Sequence, residues 1–551
     1  AGSGKTSVLV TRIIRLLIED RKDIGSFIIV TFTNKASVEM KDRIRTALEE
    51  ELKKKGSDLK FIKDQLKNLK HAQIKTLHSF CADMLRENFY YFDDLSPNFK
   101  VISENTATIL KSNAIDEVFD KRYEQMDPTF ENFLHNFATN KSDSGAKDII
   151  LKTYEKIMAE VRPIAWLDQA TSEGFKLDKF KDTVKEEMDQ ILDLARTNYD
   201  FTMGQAMRDK HQELIFDDFS QINDLTILLD EDWDKFIRKI GKIKFGRISK
   251  SKKDVEEDYS FIKDTRDLYK EDIKSVGKFV TNTDSLTMEL FAKIEEDLLS
   301  EINILVKDFI KVYSRLKEEK AYLDFSDMEH KFIDLIDIEE ARNKLRETYK
   351  HIFFDEYQDS NEIQNYIIEK LKGEDNLFFV GDVKQSIYGF RRAEPKLFLE
   401  KLEAYDKDDK SVRIDLNKNF RSQKDVLDFD NFIFDRLMTK EESDIDYRDG
   451  GHRLNFNKNE QSAYERANIK VIDSNIREED YLAKLIEEIR TMGYDYRDIA
   501  ILLRSGGKSY VYEEAFKKAE IPFFNDISKV SFRAVEVTFF INLLKYLANP
   551  K

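Results

Sequence analysis

One cysteine, six prolines and eighteen glycines in 551 residues leave little room for several classes of protein. The lone Cys81 argues against an internal disulfide framework or a Cys-rich metal site and fits a reducing cytoplasm. So few turn residues argue against an all-β sandwich and for long helices. No run approaches the roughly 20 uninterrupted apolar residues of a membrane span, and no signal-like pattern opens the chain. Charge and aromatics are abundant instead. Charged residues make up 36% and apolar ones 41%, with 41 Phe and 22 Tyr, a composition for several buried cores rather than disorder. At about 150 residues per domain the length predicts three or four domains. The balance of 91 basic and 107 acidic side chains, a net charge of −16, argues against a surface coated uniformly for nucleic acid but permits a local groove. The chain opens at Ala1 without Met and stops at Lys551 just after an apolar helical pattern, as expected of a piece of a longer protein.

Residues 26–31 (SFIIVT) form a run of strand length after a helical pattern starting at Thr6. Two more runs, at Ile352–Phe354 and Leu377–Val380, lead into acidic residues, and the three predict buried parallel strands. Between about 100 and 320 long charged helices take over. There Ile294, Leu298, Ile302, Leu305, Phe309, Val312 and Leu316 recur at spacings of three and four, a stripe expected to pack in a core rather than to present a partner face. From 411 onward strands (Ile469–Ile472 and Ile499–Leu503) again mix with helices (about 477–491 and 533–547). The expectation is an α/β domain in two parts, 1–99 and 321–410, an all-helical insertion at 100–320, and a second α/β domain at 411–551.

Gly2-x-Gly4-Lys5-Thr6 opening a helix has the form of the end of a phosphate-binding loop. Glycines let the backbone wrap phosphates, amides at a helix N-terminus favour anions, Lys5 would reach the β/γ-phosphates and the Thr6 hydroxyl would ligate Mg²⁺. A chance Gly-rich terminus is the alternative. After the apolar run at 351–354 stands Asp355-Glu356-Tyr357-Gln358-Asp359, at the carboxyl end of a strand, where α/β sheets place ligands. Asp355 would hold Mg²⁺ and Glu356 would orient or deprotonate water, the alternative being a solvated acidic turn. Gln385 lies a few residues before Tyr388 and Phe390, so one loop would feel a phosphate and touch a stacked base, although such aromatics are more often core. Arg421, at the start of the second α/β domain, is placed either as an arginine finger or as an ordinary surface arginine.

In order, these segments resemble the UvrD/Rep/PcrA/RecB group of superfamily 1 helicases. AGSGKT (Ala1, Gly2, Ser3, Gly4, Lys5, Thr6) is similar to motif I, TFTNKA with Glu39-Met40 to motif Ia, and Thr76-Leu77-His78-Ser79-Phe80 to the TxHSF motif. Leu323-Asp324-Phe325-Ser326-Asp327 resembles the LDFxD segment, DEYQD motif II, GDVKQSIYGFR motif III and NFRS motif IV. The wording of GDVKQSIYGFRRAEPKLF and HSFCADMLRENFYYFDDLSPNF is most similar to the AddA branch of helicase/nucleases that process double-strand breaks.

The resemblance implies two RecA-like P-loop domains, the second incomplete, with a helical insertion in the first. It implies ATP and Mg²⁺ as cofactors and 3′ to 5′ movement along single-stranded DNA. It also implies contact with duplex DNA, a partner of AddB type, and no membrane. It keeps Lys5, Thr6, Asp355 and Glu356 in the roles above and makes Gln385 the γ-phosphate sensor and Arg421 the finger. Phe420 would stack on adenine. Phe32, Asn34, His78, Tyr388 and Phe390 would line the single-strand track, Phe390 replacing the more usual Trp; for His78 a purely structural role is the alternative. A stand-alone repair helicase of UvrD/PcrA type and a non-catalytic DNA-binding scaffold are the rival functions, the latter opposed by intact Lys5, Asp355, Glu356 and Arg421. The glutamine motif, motifs V and VI and a nuclease domain would fall outside the chain, so this polypeptide alone is expected to be a crippled ATPase. One further run, Gly241–Lys253, carries six basic and no acidic residues (Lys242, Lys244, Arg247, Lys250, Lys252, Lys253), a phosphate contact or a solvated loop.

Overall fold

The computed structural model describes residues 2–54, 58–125, 127–139, 142–174, 177–204, 209–250, 255–389, 392–408, 410–443, 445–448, 452–456, 475–525, 539–540, 543–544 and 547. The chain forms two compact units, Ala1–Arg421 and Ser422–Lys551.

The first unit opens with α1 (Lys5–Ile18), β1 (Phe27–Val30), α2 (Asn34–Leu52), α3 (Leu59–Asn68), β2 (Gln73–Lys75) and α4 (Leu77–Glu87). A short strand β3 (Lys100–Val101) leads into a run of helices: α5 (Glu104–Gln125), α6 (Pro128–Phe137), α7 (Ser144–Ile157), α8 (Pro163–Glu173), α9 (Leu177–Gly204), α10 (Asp209–Glu231), α11 (Trp233–Ile240), α12 (Glu256–Phe279) and α13 (Ser285–Glu318). The chain returns through β4 (Tyr322–Leu323), α14 (Phe325–Asp337), α15 (Glu339–Thr348), β5 (His351–Phe354), α16 (Glu362–Leu371), β6 (Leu377–Phe379), α17 (Pro395–Lys407) and β7 (Lys418–Asn419).

Strands β2-β1-β5-β6 make one parallel sheet, with Ile29 opposite Ile74 and Phe353, and Phe353 opposite Phe378. Side chains of a strand alternate between faces, so both faces of this sheet need cover. Ile28, Val30, Ile352 and Phe354 pack with Phe80 and Met84 of α4, Phe332 and Ile336 of α14 and Ile367 of α16. Phe27, Ile29, Ile74 and Phe353 pack with Leu9, Ile13 and Leu17 of α1 and Ile44 and Leu48 of α2. Each such fully buried side chain contributes about 1.5–3 kcal/mol. β2 was not foreseeable as a strand, because Gln73-Ile74-Lys75 holds a single apolar residue at the sheet edge.

β3 pairs in parallel with β4, Lys100 opposite Tyr322, and clamps the base of the helical insertion. Among its described residues the insertion holds two cores. One joins α5–α8 with the second half of α13 through Phe119, Phe133, Tyr154, Leu305 and Phe309. The other joins α9–α12 through Met188, Ile222, Phe236 and Tyr269. α13 has 34 residues, about 51 Å at 1.5 Å each. Its apolar stripe is core from Leu298 to Leu316, as the spacing predicts, whereas Ile294 is 38% exposed. The LDFSD segment anchors this helix: Lys317 of α13, 3% exposed, pairs with Asp324 and Asp327, which form a capping box at the start of α14.

The second unit contains α18 (Lys424–Leu437), α19 (Lys440–Ser443), α20 (Glu478–Thr491) and α21 (Ser509–Lys518), with Ala483, Ile486, Phe516 and Ile521 in its core. The helix expected at 477–491 is α20. The strand expected at Ile499–Leu503 is not formed: these residues pair with no strand among the described residues, and Leu502 is 94% exposed. An apolar run becomes a strand only where a neighbouring strand takes its backbone groups. The expected strand at Ile469–Ile472 lies outside the described residues, as do ten of the fifteen residues of the helix expected at 533–547; the five that are described (539, 540, 543, 544 and 547) are helical. Among the described residues no helix is long and apolar enough to cross a membrane.

Candidate active site

α1 begins at Lys5 with Gly4 as its N-cap, in the left-handed region and with no side chain capping the first turn. The first amides of α1 thus have neither an intrahelical partner nor a side-chain cap among the described residues, the arrangement that receives an anion. Gly2, at φ +74°, must be glycine. A Cβ there would sit 2.7 Å from Cβ of Arg421 and 2.9 Å from Nδ2 of Asn419. Its carbonyl accepts the Phe420 N–H at 2.9 Å, so the N-terminal loop and the NFRS segment are joined. Phe420 is half-exposed and Arg421 exposed; Ala1 lies outside the described residues.

Beside the loop, at the carboxyl end of β5, the Asp355 N–H donates to the Val30 carbonyl at 3.0 Å. Asp355 is 6% exposed, and its Oδ1 has no hydrogen-bond partner among the described residues. Burial first, then the neighbouring Glu356 charge, push its carboxyl up to about 6 against the pull of Lys5. Burial and Glu356 do the same to Asp359, also to about 6. Glu356 itself has a left-handed backbone, φ +56°, a conformation that costs a non-glycine residue about 1–3 kcal/mol and gathers at functional sites. Its Oε2 lies 3.2 Å from Nζ of Lys5 and accepts from Nε2 of Gln358 at 3.0 Å.

Gln385, in the loop after β6, donates from Nε2 to Asp382 Oδ2 at 2.6 Å, while Lys384 Nζ lies 2.8 Å from Asp382 Oδ1. Burial opposes ionisation of Asp382, but the Lys384 ammonium and these hydrogen bonds outweigh it and hold the carboxyl well below the usual range. Sequence reasoning missed Gln358, Asp382 and Lys384, although each stands inside a segment it had singled out.

Further along the same sheet edge, Phe32 and Tyr388 meet with ring centroids 4.5 Å apart and planes at 40°. Asn34 is exposed in the first turn of α2. His78, in the first turn of α4, has Nε2 3.2 Å from Oε1 of the buried Glu329 and meets Phe325 edge-on at 5.3 Å, so α14 engages it. Phe390 lies outside the described residues. The basic run follows α11: Lys242, Lys244, Arg247 and Lys250 are exposed, with Lys250 paired to Glu256, and Lys252 and Lys253 lie outside the described residues. The Gly246 carbonyl accepts from Nη2 of Arg266, which is buried and bonded to Asp218.

Fold and site together define a P-loop protein of the RecA-like α/β class, with a helical insertion between β2 and β5. Residues 1–406 match the family model of the UvrD/REP helicase N-terminal domain, and residues 414–551 that of the UvrD-like helicase C-terminal domain. The chain belongs to the UvrD/Rep helicase family. Over its whole length it is similar to the AddA proteins, the A subunits of ATP-dependent helicase/nucleases: 35% identical to that of Alkaliphilus oremlandii, 32% to that of Clostridium novyi and 31% to that of Anoxybacillus flavithermus. It covers 49%, 50% and 50% of those proteins, so the chain spans about half the length of these relatives.

Proposed function

We propose that this chain is the ATP-driven motor segment of a DNA helicase, one that moves 3′ to 5′ on single-stranded DNA within a helicase/nuclease processing double-strand breaks. The observation that carries the reading is the meeting of the Lys5 ammonium, the Glu356 carboxylate and the buried Asp355 at the bare N-terminus of α1. Lys5 would contact the β/γ-phosphates and Glu356 would orient and deprotonate the attacking water. A phosphate that draws Lys5 toward it would leave Glu356 Oε2 held by Gln358 alone.

The residues present fit Mg²⁺. Asp355 keeps one buried oxygen without a partner among the described residues, and its carboxyl, raised to about 6, is the kind a cation would ionise. No group of three or more His, Cys, Asp and Glu among the described residues could hold a metal by itself. Thr6 and Asp355 would therefore share the ion with the phosphates, as Mg²⁺ sites commonly do. Bound there, the ion would neutralise charge developing on the β/γ oxygens. Gln385 would sense the γ-phosphate, Arg421 would approach it as the finger, and Phe420 would stack on adenine.

Phe32 and Tyr388, in contact on the loops after β1 and β6, would form a stacking platform for single-stranded bases, with Asn34 and His78 beside it and Phe390 completing it. We place the domain limits at 1–99, 100–320, 321–410 and 411–551 and the working compartment in the cytoplasm. The names of the relatives, which make each of them one component of a helicase/nuclease, support a nuclease activity for the whole protein and a second, AddB-like partner. The test is strand displacement with ATP on duplexes bearing a 3′ or a 5′ single-stranded tail. Unwinding of the 3′-tailed duplex alone is expected; preference for the 5′ tail, or displacement without ATP, rejects the reading.

A further inference from the structure

Glu356 is held from two sides, and only one of them is the Lys5 ammonium. The other is Gln358, which is 1% exposed. Its amide nitrogen donates to Glu356 Oε2 at 3.0 Å and to Asp359 Oδ2 at 3.2 Å, while its amide oxygen accepts the backbone N–H of Asp382 at 2.9 Å. Its own carbonyl accepts from Oγ of Ser386 at 3.2 Å. The chain at Gly381 runs so close that a Cβ would stand 2.8 Å from Gln358 Oε1 and 3.1 Å from the Phe398 ring. Asp382, fixed in this way, in turn accepts from the Gln385 side chain at 2.6 Å. One buried amide therefore joins the acidic end of β5 to the loop that carries Gln385 and Tyr388.

The chemistry of the residue suits the task. A primary amide offers two donors and an acceptor without charge, and here both donors meet carboxylates while the acceptor meets a backbone amide. A glutamate of the same length would set another carboxylate beside Glu356 and Asp359. A methionine would fill the space and offer no donor.

We infer that Gln358 is a positioning residue for ATP hydrolysis: it fixes the Glu356 carboxylate and, through the Asp382 amide, ties the Gln385 loop to it. The inference rests on the reading of Glu356 as the group that activates water. Nucleotide held by the P-loop would then be sensed as a unit, because Glu356 and Gln385 cannot shift independently while the amide bridges them.

The experiment is ATP turnover by the whole protein with single-stranded oligonucleotide, for the native protein, Gln358→Met and Gln358→Glu, with hydrogen exchange of residues 381–389 measured in parallel. Expected in Gln358→Met are a kcat lower by about ten-fold or more, a KM for ATP within about two-fold of native, and faster exchange at 381–389. Expected in Gln358→Glu, which keeps the size and the acceptor but loses both donors, is a similar loss of kcat with exchange at 381–389 close to native. The inference is overturned if kcat in both variants stays within about two-fold of native, or if KM rises in step with the loss of kcat. Should the native whole protein bind ATP without turning it over, the hydrolysis reading falls by itself. The exchange arm then decides: faster exchange in Gln358→Met upholds the tether, and an unchanged rate rejects it.

Discussion

Nζ of Lys5 lies 3.2 Å from Oε2 of Glu356, although 351 positions separate them in the chain. Packing of α1 on the sheet brings this about: Leu9, Ile13 and Leu17 lie against Ile29 and Phe353, and the first residue of the helix stands beside the carboxyl end of β5. Lys5 is then the cation shared by Glu356 and by any phosphate at the start of α1. Lys5→Ala should weaken binding of a fluorescent ATP analogue by about 10–100-fold, the worth of roughly 1.5–3 kcal/mol for a hydrogen bond to a charged group. Lys5→Arg should not restore it, because a planar fork does not replace a compact ammonium. A loss under two-fold for Lys5→Ala contradicts the assignment.

Asp355 trades stability for function. Its folded pKa, about 6, lies above the ordinary 3.8, so the folded chain binds the proton more tightly than the unfolded chain does. Between roughly pH 4 and pH 6 the unfolded state loses that proton first, and this group's contribution to stability falls as pH rises. Asp355→Asn removes the buried charge and should stabilise the nucleotide-free chain at pH 7.5 by on the order of 2 kcal/mol. It should also abolish Mg²⁺-dependent turnover. Thermal melts at pH 4 and 7.5 check the first statement: the gain should appear only at the higher pH. A variant less stable than native at both values contradicts it.

Phe32 and Tyr388 should act as one platform. Each change to Ala should lower affinity for a short single-stranded oligonucleotide by about 5–100-fold, the range for loss of one base–aromatic stack. The double variant should lose less than the sum of the two free energies, because the rings touch. Fluorescence anisotropy in one fixed salt measures it, and full additivity would separate the two residues.

In the insertion, Arg266 is 1% exposed and Asp218 0%; Arg266 Nε and Nη2 meet the two carboxylate oxygens at 2.5 and 3.2 Å, and Tyr269 adds a hydrogen bond at 2.8 Å. Arg266→Ala leaves a buried carboxylate uncompensated and should cost about 3–5 kcal/mol. It also removes the donor to the Gly246 carbonyl, so proteolytic nicking at 241–250 should speed up. Limited proteolysis beside a denaturant melt tests both; an unchanged midpoint contradicts the account.

How far the sequence alone reached follows from the range of the forces involved. β1 and β5 were legible because a strand buried on both faces is a continuous apolar run, β6 because the half-buried edge strand is still wholly apolar, and α13 because a core-facing helix repeats at three and four. β2 was not, since an edge strand with one apolar residue carries no such signal. The run at 499–503 misled for the opposite reason, having strand composition while no strand among the described residues pairs with it. Lys5, Asp355 and Glu356 were each singled out from local chemistry, and the fold brings them together. Gln358 was passed over because what sets it apart is its side-chain hydrogen bonds to Glu356, Asp359 and the Asp382 amide, the last of them beyond a helix and a strand. His78, for which the sequence left a DNA contact and a structural role open, meets Glu329 and Phe325 of α14, contacts that no local pattern announces.

The most direct test of the motor reading is the rate of ATP hydrolysis by the whole protein with and without single-stranded oligonucleotide, beside a Glu356→Gln variant. The account predicts that strand addition raises turnover by about ten-fold or more, and that Glu356→Gln binds ATP normally yet loses this activity by about 100-fold or more. Turnover indifferent to DNA, or undiminished in Glu356→Gln, would contradict it.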